Sequence, residues 1–272
     1  LPVGALAVAM ALRFLPTAVP EDAGRFDWIG LGLLGTGLPA LTYGLAEAGL
    51  QSGFTAPRAI GPVIAGIVLV AVFVAHAVRA ERPLLDVRLF RARAFAAASF
   101  TTFCLGAALF GAMILVPLYF QETSLHHFSI VQTGLLIAPQ GLGAAFAMPL
   151  SGALTDRFGG GPIALIGVVL TAVATIPMAL IDGSTSVLAI EIALFFRGIG
   201  VGAAIMPAMS AAYSTLRPDQ IGDATPQLNV LQRVGGSMGS AVLAVALSSH
   251  LSSARTPGGV AHAYAISFWW AM

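Results

Sequence analysis

The sequence predicts an all-α, polytopic transmembrane helix bundle, and three observations carry that class. Mean hydropathy is +0.89. Only 9% of the 272 residues are charged, against roughly 25% in soluble domains. Apolar runs recur that are long enough to cross a hydrocarbon core of about 30 Å at 1.5 Å per helical residue. Backbone amides in lipid must bond within their own segment, so these runs should be helices; the polar alternation of barrel strands is missing. All 13 basic residues are arginine and face 12 acids, a net charge of +1, which leaves no basic face for nucleic acid. A single cysteine, Cys104, permits neither an intrachain disulfide nor a thiolate metal cage.

Full spans are expected at about 29–46, 59–78, 94–119, 131–154, 162–181, 187–212 and 224–248. The apolar stretch from Leu1 to Leu12 is too short to span, and the run from Ala261 breaks off at Phe268-Trp269-Trp270-Ala271-Met272. The chain therefore reads as an internal fragment with about seven full spans and two partial ones.

Orientation follows from the arginines, because short inner loops are enriched in them. Arg79, Arg82, Arg88, Arg91 and Arg93 crowd one loop; if it is cytoplasmic, Arg13, Arg25, Arg157 and Arg217 fall inside too, and only Arg58 and Arg255 fall outside. Within that loop, Ala80 to Phe90 reads as a short amphipathic helix on the inner surface. His126 and His127 fall in an outer loop, as solvated histidines or as a pH-sensing or metal pair.

Four constellations carry the candidate chemistry. The stretch Gly152-Ala153-Leu154-Thr155-Asp156-Arg157-Phe158-Gly159-Gly160-Gly161-Pro162 joins two spans on the inner side. Gly152 would permit close helix approach, Asp156 could meet a helix N-terminus or an arginine, and Gly159 to Gly161 would turn the chain before Pro162 starts the next helix. A plain topological turn is the alternative.

Arg197 follows Ser186 by 11 residues, about 16 Å along a helix and near mid-bilayer. An arginine there costs about 2.5–3.5 kcal/mol on insertion scales. It must face a polar cavity, with a substrate or gating role, or bond helix carbonyls in a buried structural contact. Gly198 and Gly202 form a close-packing face beside it. Glu191 lies about 9 Å up the axis and about 120° around, and so cannot pair with Arg197. It is the one carboxylate inside an expected span. Arginine keeps its proton at physiological pH, which leaves Glu191 as the candidate coupling-proton site, a solvated interfacial glutamate being the alternative.

Thr225, Asn229, Gln232, Gly236 and Ser240 share one helical face, a polar and small stripe suited to a water-filled path, while Gly235 and Gly239 offer a packing face. About 14 apolar residues follow Arg233, some 21 Å of helix, so Arg233 either snorkels to the inner interface or joins the polar wall. Gln121 and Gln140 stand near Pro117 and Pro139. Proline frees a carbonyl, which is tolerated where backbone faces a cavity; Gln140 either lines such a cavity or packs between helices.

No P-loop, HExxH, nucleophile elbow or paired carboxylate set is present, and the match Gly30-Leu31-Gly32-Leu33-Leu34-Gly35 sits inside an apolar span with no preceding strand. The chain is not read as an enzyme.

The Gly152 to Gly159 stretch resembles the inner-loop signature of the major facilitator superfamily, Gly-x-Leu-x-Asp-Arg-x-Gly, with Gly160 and Gly161 where that signature carries basic residues. Arg197 and its trailing glycines resemble a second superfamily pattern. The stretch with Asn229, Gln232-Arg233 and Gly235-Gly236-Ser237 is similar to the penultimate span of its 14-span drug:proton antiporters, and the loop with Pro83-Leu84-Leu85-Asp86 and Leu89-Phe90-Arg91 looks like theirs. By that resemblance, residues 1–28 are the end of span 6 and an inner loop, 29–78 a two-span insert, 79–93 the cytoplasmic basic loop, and 94–272 the C-terminal bundle of spans 9–13 with a truncated span 14. The absence of lysine with abundant Ala, Gly and Arg points to a high-GC bacterial source. The resemblance implies an inner (plasma) membrane exporter of lipophilic or cationic drugs, working by alternating access. A proton gradient would drive it with no cofactor or metal. Its partners would be the bilayer, small lipophilic substrates and the N-terminal half of the same transporter. An uncoupled or uniport carrier of the same fold, and a non-transporting sensor or scaffold, stay open beside it.

Overall fold

A computed structural model describes Met10, Arg13 and residues 27–50, 57–81, 83–122, 127–182, 185–214, 216–251, 254 and 256–272. Among these residues the ordered elements are helical: α1 Trp28–Leu50, α2 Pro57–Arg79, α3 Arg93–Gln121, α4 Ile130–Phe158, α5 Gly160–Ala179, α6 Val187–Tyr213, α7 Pro218–Leu251 and α8 Pro257–Trp270. Seven of them, α1 to α7, are long and apolar enough to cross a membrane. With 14 residues, α8 reaches about 21 Å.

Helix starts follow their local chemistry. Ser129 caps α4 in a reciprocal capping box with Gln132, and Thr256 caps α8 with Pro257 in the first turn. The α4–α5 connection is tighter than the glycine run suggests. Gly159 alone makes the turn, at φ +85°, and α5 already begins at Gly160, two residues before Pro162. A left-handed φ of that size suits glycine, which has no Cβ to clash.

The loop after α2 departs from expectation. Instead of an amphipathic α-helix from Ala80 to Phe90, a five-residue 3-10 helix forms at Val87–Arg91, capped by the Asp86 carboxylate accepting from the Arg88 N–H at 3.0 Å. Pro83 and the Asp86 cap favour a turn over a continuous helix. His126 and Arg82 lie outside the described residues; His127 adopts φ +54°.

α6 is the central helix, packed on α5, α4 and α3, while α3 pairs with α7 and α1 with α2. At the arginine-rich end, Leu89 of the 3-10 helix is buried with Phe95, Ala212, Ala224 and Leu228, joining α3, α6 and α7. At the opposite end Leu115, Tyr119, Phe120, Met178, Ile190, Leu247 and Tyr264 form a second core, with the Tyr119 and Tyr264 rings edge to face at 5.4 Å.

Candidate transport wall

Small residues set the helix seams that position the polar side chains. A Cβ at Gly198 would strike the Gln140 carbonyl, and one at Gly202 would meet the Ala144 backbone, so α6 and α4 approach backbone to backbone. Gly235 lies against the Phe103 carbonyl and Gly239 against Ala107, while Gly106 meets the Gln232 carbonyl, which makes the same kind of seam between α7 and α3. Gly152 differs from its expected role: a Cβ there meets nothing within 4 Å. Asp156 and Arg157 are exposed and make no hydrogen bond or ion pair among the described residues; the Arg157 guanidinium lies 5.4 Å from the Phe158 ring.

Arg197 is fully buried on the face of α6 that meets α3, and its Nη2 donates to the Ala108 carbonyl at 2.8 Å. Its Nε and Nη1 have no hydrogen-bond partner. The side chain thus makes the helix-carbonyl bond that was one of its two expected roles, with two donors left over. Glu191 is half-buried near the start of α6 and makes no hydrogen bond or ion pair among the described residues. It is not alone as a carboxylate within a span-length helix, because α1 includes Glu47, α4 Asp156 and α7 Asp223. Gln140 is half-buried beside the α4–α6 seam, and Gln121 is exposed at the last residue of α3.

On α7, Asn229 and Arg233 lie one turn apart on an exposed face, and Gln232 is half-buried beside them. The Asn229 amide donates to its own helix at the Thr225 carbonyl, 3.0 Å away. Asn229 and Gln232 line a crevice of about 10 Å³ with Thr102, Leu105, Ile205, Met209 and Leu228, close to the smallest volume that holds one water. Arg233 makes no side-chain hydrogen bond or ion pair among the described residues. Because α7 begins at Pro218 rather than near 224, Arg233 sits 15 residues into a 34-residue helix, about 22 Å from its start. That places it near the middle of the helix.

A roomier recess lies elsewhere. An apolar groove of about 520 Å³ runs between α3 and α5, floored by Ala208 and Ala211 of α6 and closed by Ala271 and Met272. Cys104 opens into it, and none of Gln121, Gln140, Glu191, Arg197, Asn229, Gln232 or Arg233 lines it.

A polar junction at the arginine-rich end escaped the motif reading. Asp27, whose side chain is 8% exposed, accepts from the Gly30 N–H at 2.8 Å, the Leu84 N–H at 3.0 Å and His76 Nε2 at 2.9 Å. Burial pulls the Asp27 carboxyl upward, but the hydrogen bonds from Gly30, His76 and Leu84 outweigh it and hold the group below its ordinary value. Arg88 Nη2 donates to the Val78 and Ala80 carbonyls at the end of α2, and Gln227 Nε2 donates to the Asp86 carbonyl from α7. The loop is thereby tied to α1, α2 and α7 at once. Asp27 directly before an apolar run is a helix-cap signal; its partners 49 and 57 residues away carry none.

Comparison with known proteins agrees with this architecture. The chain is 38% identical over 251 residues to the Multidrug resistance protein B homolog of Mycobacterium tuberculosis, covering 91% of this chain and 46% of that protein. It is 27% identical over 250 residues to the Lincomycin resistance protein LmrB of Listeria monocytogenes, covering 92% and 52%. It is 28% identical over 257 residues to the Multidrug resistance protein Stp of Mycobacterium tuberculosis, covering 94% and 47%. The chain thus spans about half the length of the curated relatives it matches. A model of the Major Facilitator Superfamily matches residues 2–240, and with seven membrane-capable helices beneath that match, the chain is a multi-pass membrane protein that belongs to this superfamily.

Proposed function

We propose that this chain forms the C-terminal part of a proton-coupled exporter of lipophilic drugs, with α3, α4, α6 and α7 as one wall of an alternating-access cavity. The observation that carries the reading is the exposed, unpaired Arg233 beside Asn229 at mid-helix depth. A cation there costs about 2.5–3.5 kcal/mol against lipid, so that face of α7 belongs against water, substrate or the other half of a transporter. The names of the relatives, two multidrug resistance proteins and a lincomycin resistance protein, support drug export as the task. Close glycine seams at α4–α6 and α3–α7 suit helices that shift as units. Glu191, half-buried and unpaired, is the proton-site candidate of this half, and the arginine-rich end faces the cytoplasm.

The test uses the full-length transporter in inverted membrane vesicles with a preset pH gradient. The reading expects a lipophilic drug to collapse the gradient with wild-type protein and to collapse it less with Glu191→Gln at equal protein level. Drug accumulation with no proton movement would make the protein an uncoupled carrier, and neither event would leave a sensor or scaffold.

A further inference from the structure

The charge carried by this wall is one-sided. At mid-helix depth it carries the buried Arg197 and the exposed Arg233, and no described carboxylate lies at that level. Asp223 is ten residues from Arg233 toward the arginine-rich end of α7, about 15 Å away; Glu191 and Glu47 sit near the opposite end. The depth of Arg233 is fixed independently by the α3–α7 seam. Its neighbours Gln232 and Gly235 lie against Gly106 and Phe103, 13 and 10 residues from the start of the 29-residue α3, or about 15–20 Å in. Arg233 therefore lies level with the middle third of α3. Arg233 is exposed and unpaired among the described residues, whereas Arg197 is buried in the α3–α6 contact with its Nη2 on the Ala108 carbonyl.

We propose that Arg233 is the anchor for the anionic group of a lipophilic acid, with Asn229 one turn away as a second polar contact and the apolar body of the substrate lying along the wall. This rests on the export reading above and narrows it: this half supplies an anion-binding point, and a cationic substrate would have to find its counter-charge elsewhere. A guanidinium suits the role because it stays charged, is weakly hydrated, and offers paired donors to a carboxylate.

The experiment measures binding and uptake of three probes by the full-length transporter in inverted vesicles: 1-pyrenebutyrate, its neutral methyl ester, and tetraphenylphosphonium. Arg233→Gln is expected to weaken pyrenebutyrate binding about tenfold or more, the scale of one lost charge-assisted contact, and Arg233→Lys to restore part of it. The ester and the phosphonium should lose far less than pyrenebutyrate does. An unchanged affinity for pyrenebutyrate in Arg233→Gln overturns the proposal. Equal loss of all three probes also overturns it, because Arg233 would then pair with a carboxylate inside the transporter or support the fold. Wild-type protein that takes up none of the three overturns the export reading along with this one, whereas intact phosphonium export with no pyrenebutyrate binding overturns this one alone.

Discussion

The Arg197 guanidinium on α6 reaches the Ala108 carbonyl on α3 at 2.8 Å, joining two helices through a backbone acceptor 89 residues away in sequence. Because the bond ends on backbone, no side-chain partner needs to be matched. Arg197→Ala removes a fully buried side chain and this bond together. We expect a loss of about 2–4 kcal/mol, from cavity formation and the lost hydrogen bond. Arg197→Met keeps most of the volume and removes the two unpaired buried donors, so it should cost less than Arg197→Ala. Thermal unfolding of the full-length protein in detergent ranks the pair; a methionine variant less stable than the alanine variant would contradict this account.

Glycines on the seams and glycines facing open space should respond oppositely to the same substitution. Gly198→Ala and Gly235→Ala drive a methyl into the Gln140 and Phe103 carbonyls, and overpacking of that kind costs about 1–3 kcal/mol. Gly152→Ala and Gly141→Ala meet nothing within 4 Å inside α4, where alanine is favoured over glycine by up to about 1 kcal/mol. Folded yield by size-exclusion chromatography should fall for the first pair and hold or rise for the second.

The Asp27 junction predicts acid lability at one end of the molecule. A carboxyl held below its ordinary value contributes stability that is complete above the unfolded-chain value, about 3.9. That contribution is lost as pH falls through the lower folded value. Asp27→Asn should abolish this acid-dependent step and loosen the loop at neutral pH. Limited trypsin digestion reads it out: cleavage at Arg88 should speed up in Asp27→Asn and Gln227→Ala, since each removes a tie on that loop. Equal cleavage rates would sink the tie.

How much of this was legible depended on whether a signal was local. The spans were, because hydropathy is summed over consecutive residues: the run expected at 187–212 became Val187–Tyr213. The start of α7 lies earlier than hydropathy suggests because Pro218-Asp219-Gln220 is polar and reads as loop, although proline and acid suit a helix start. Amphipathic spacing over 80–90 favours an α-helix, but Pro83 and the Asp86 cap limit the segment to the 3-10 helix at Val87–Arg91. The Asp27–His76 pair bridges 49 residues and is fixed by how α1 packs on α2, which no window along the chain contains.

The exposed face of α7 is the centre of the account, and cysteine accessibility tests it most directly. Cys104 is the single cysteine of this chain and is exposed, so the background is the full-length transporter with Cys104→Ser and every cysteine outside this chain likewise replaced by serine. Asn229→Cys and Val173→Cys are compared, Val173 being an exposed apolar residue of α5. The account predicts that a membrane-impermeant maleimide labels the Asn229 position far faster than the Val173 position, and that a lipophilic drug slows labelling only at the former. Equal, slow labelling at both positions would show that α7 turns this face to lipid, and would contradict the transport wall.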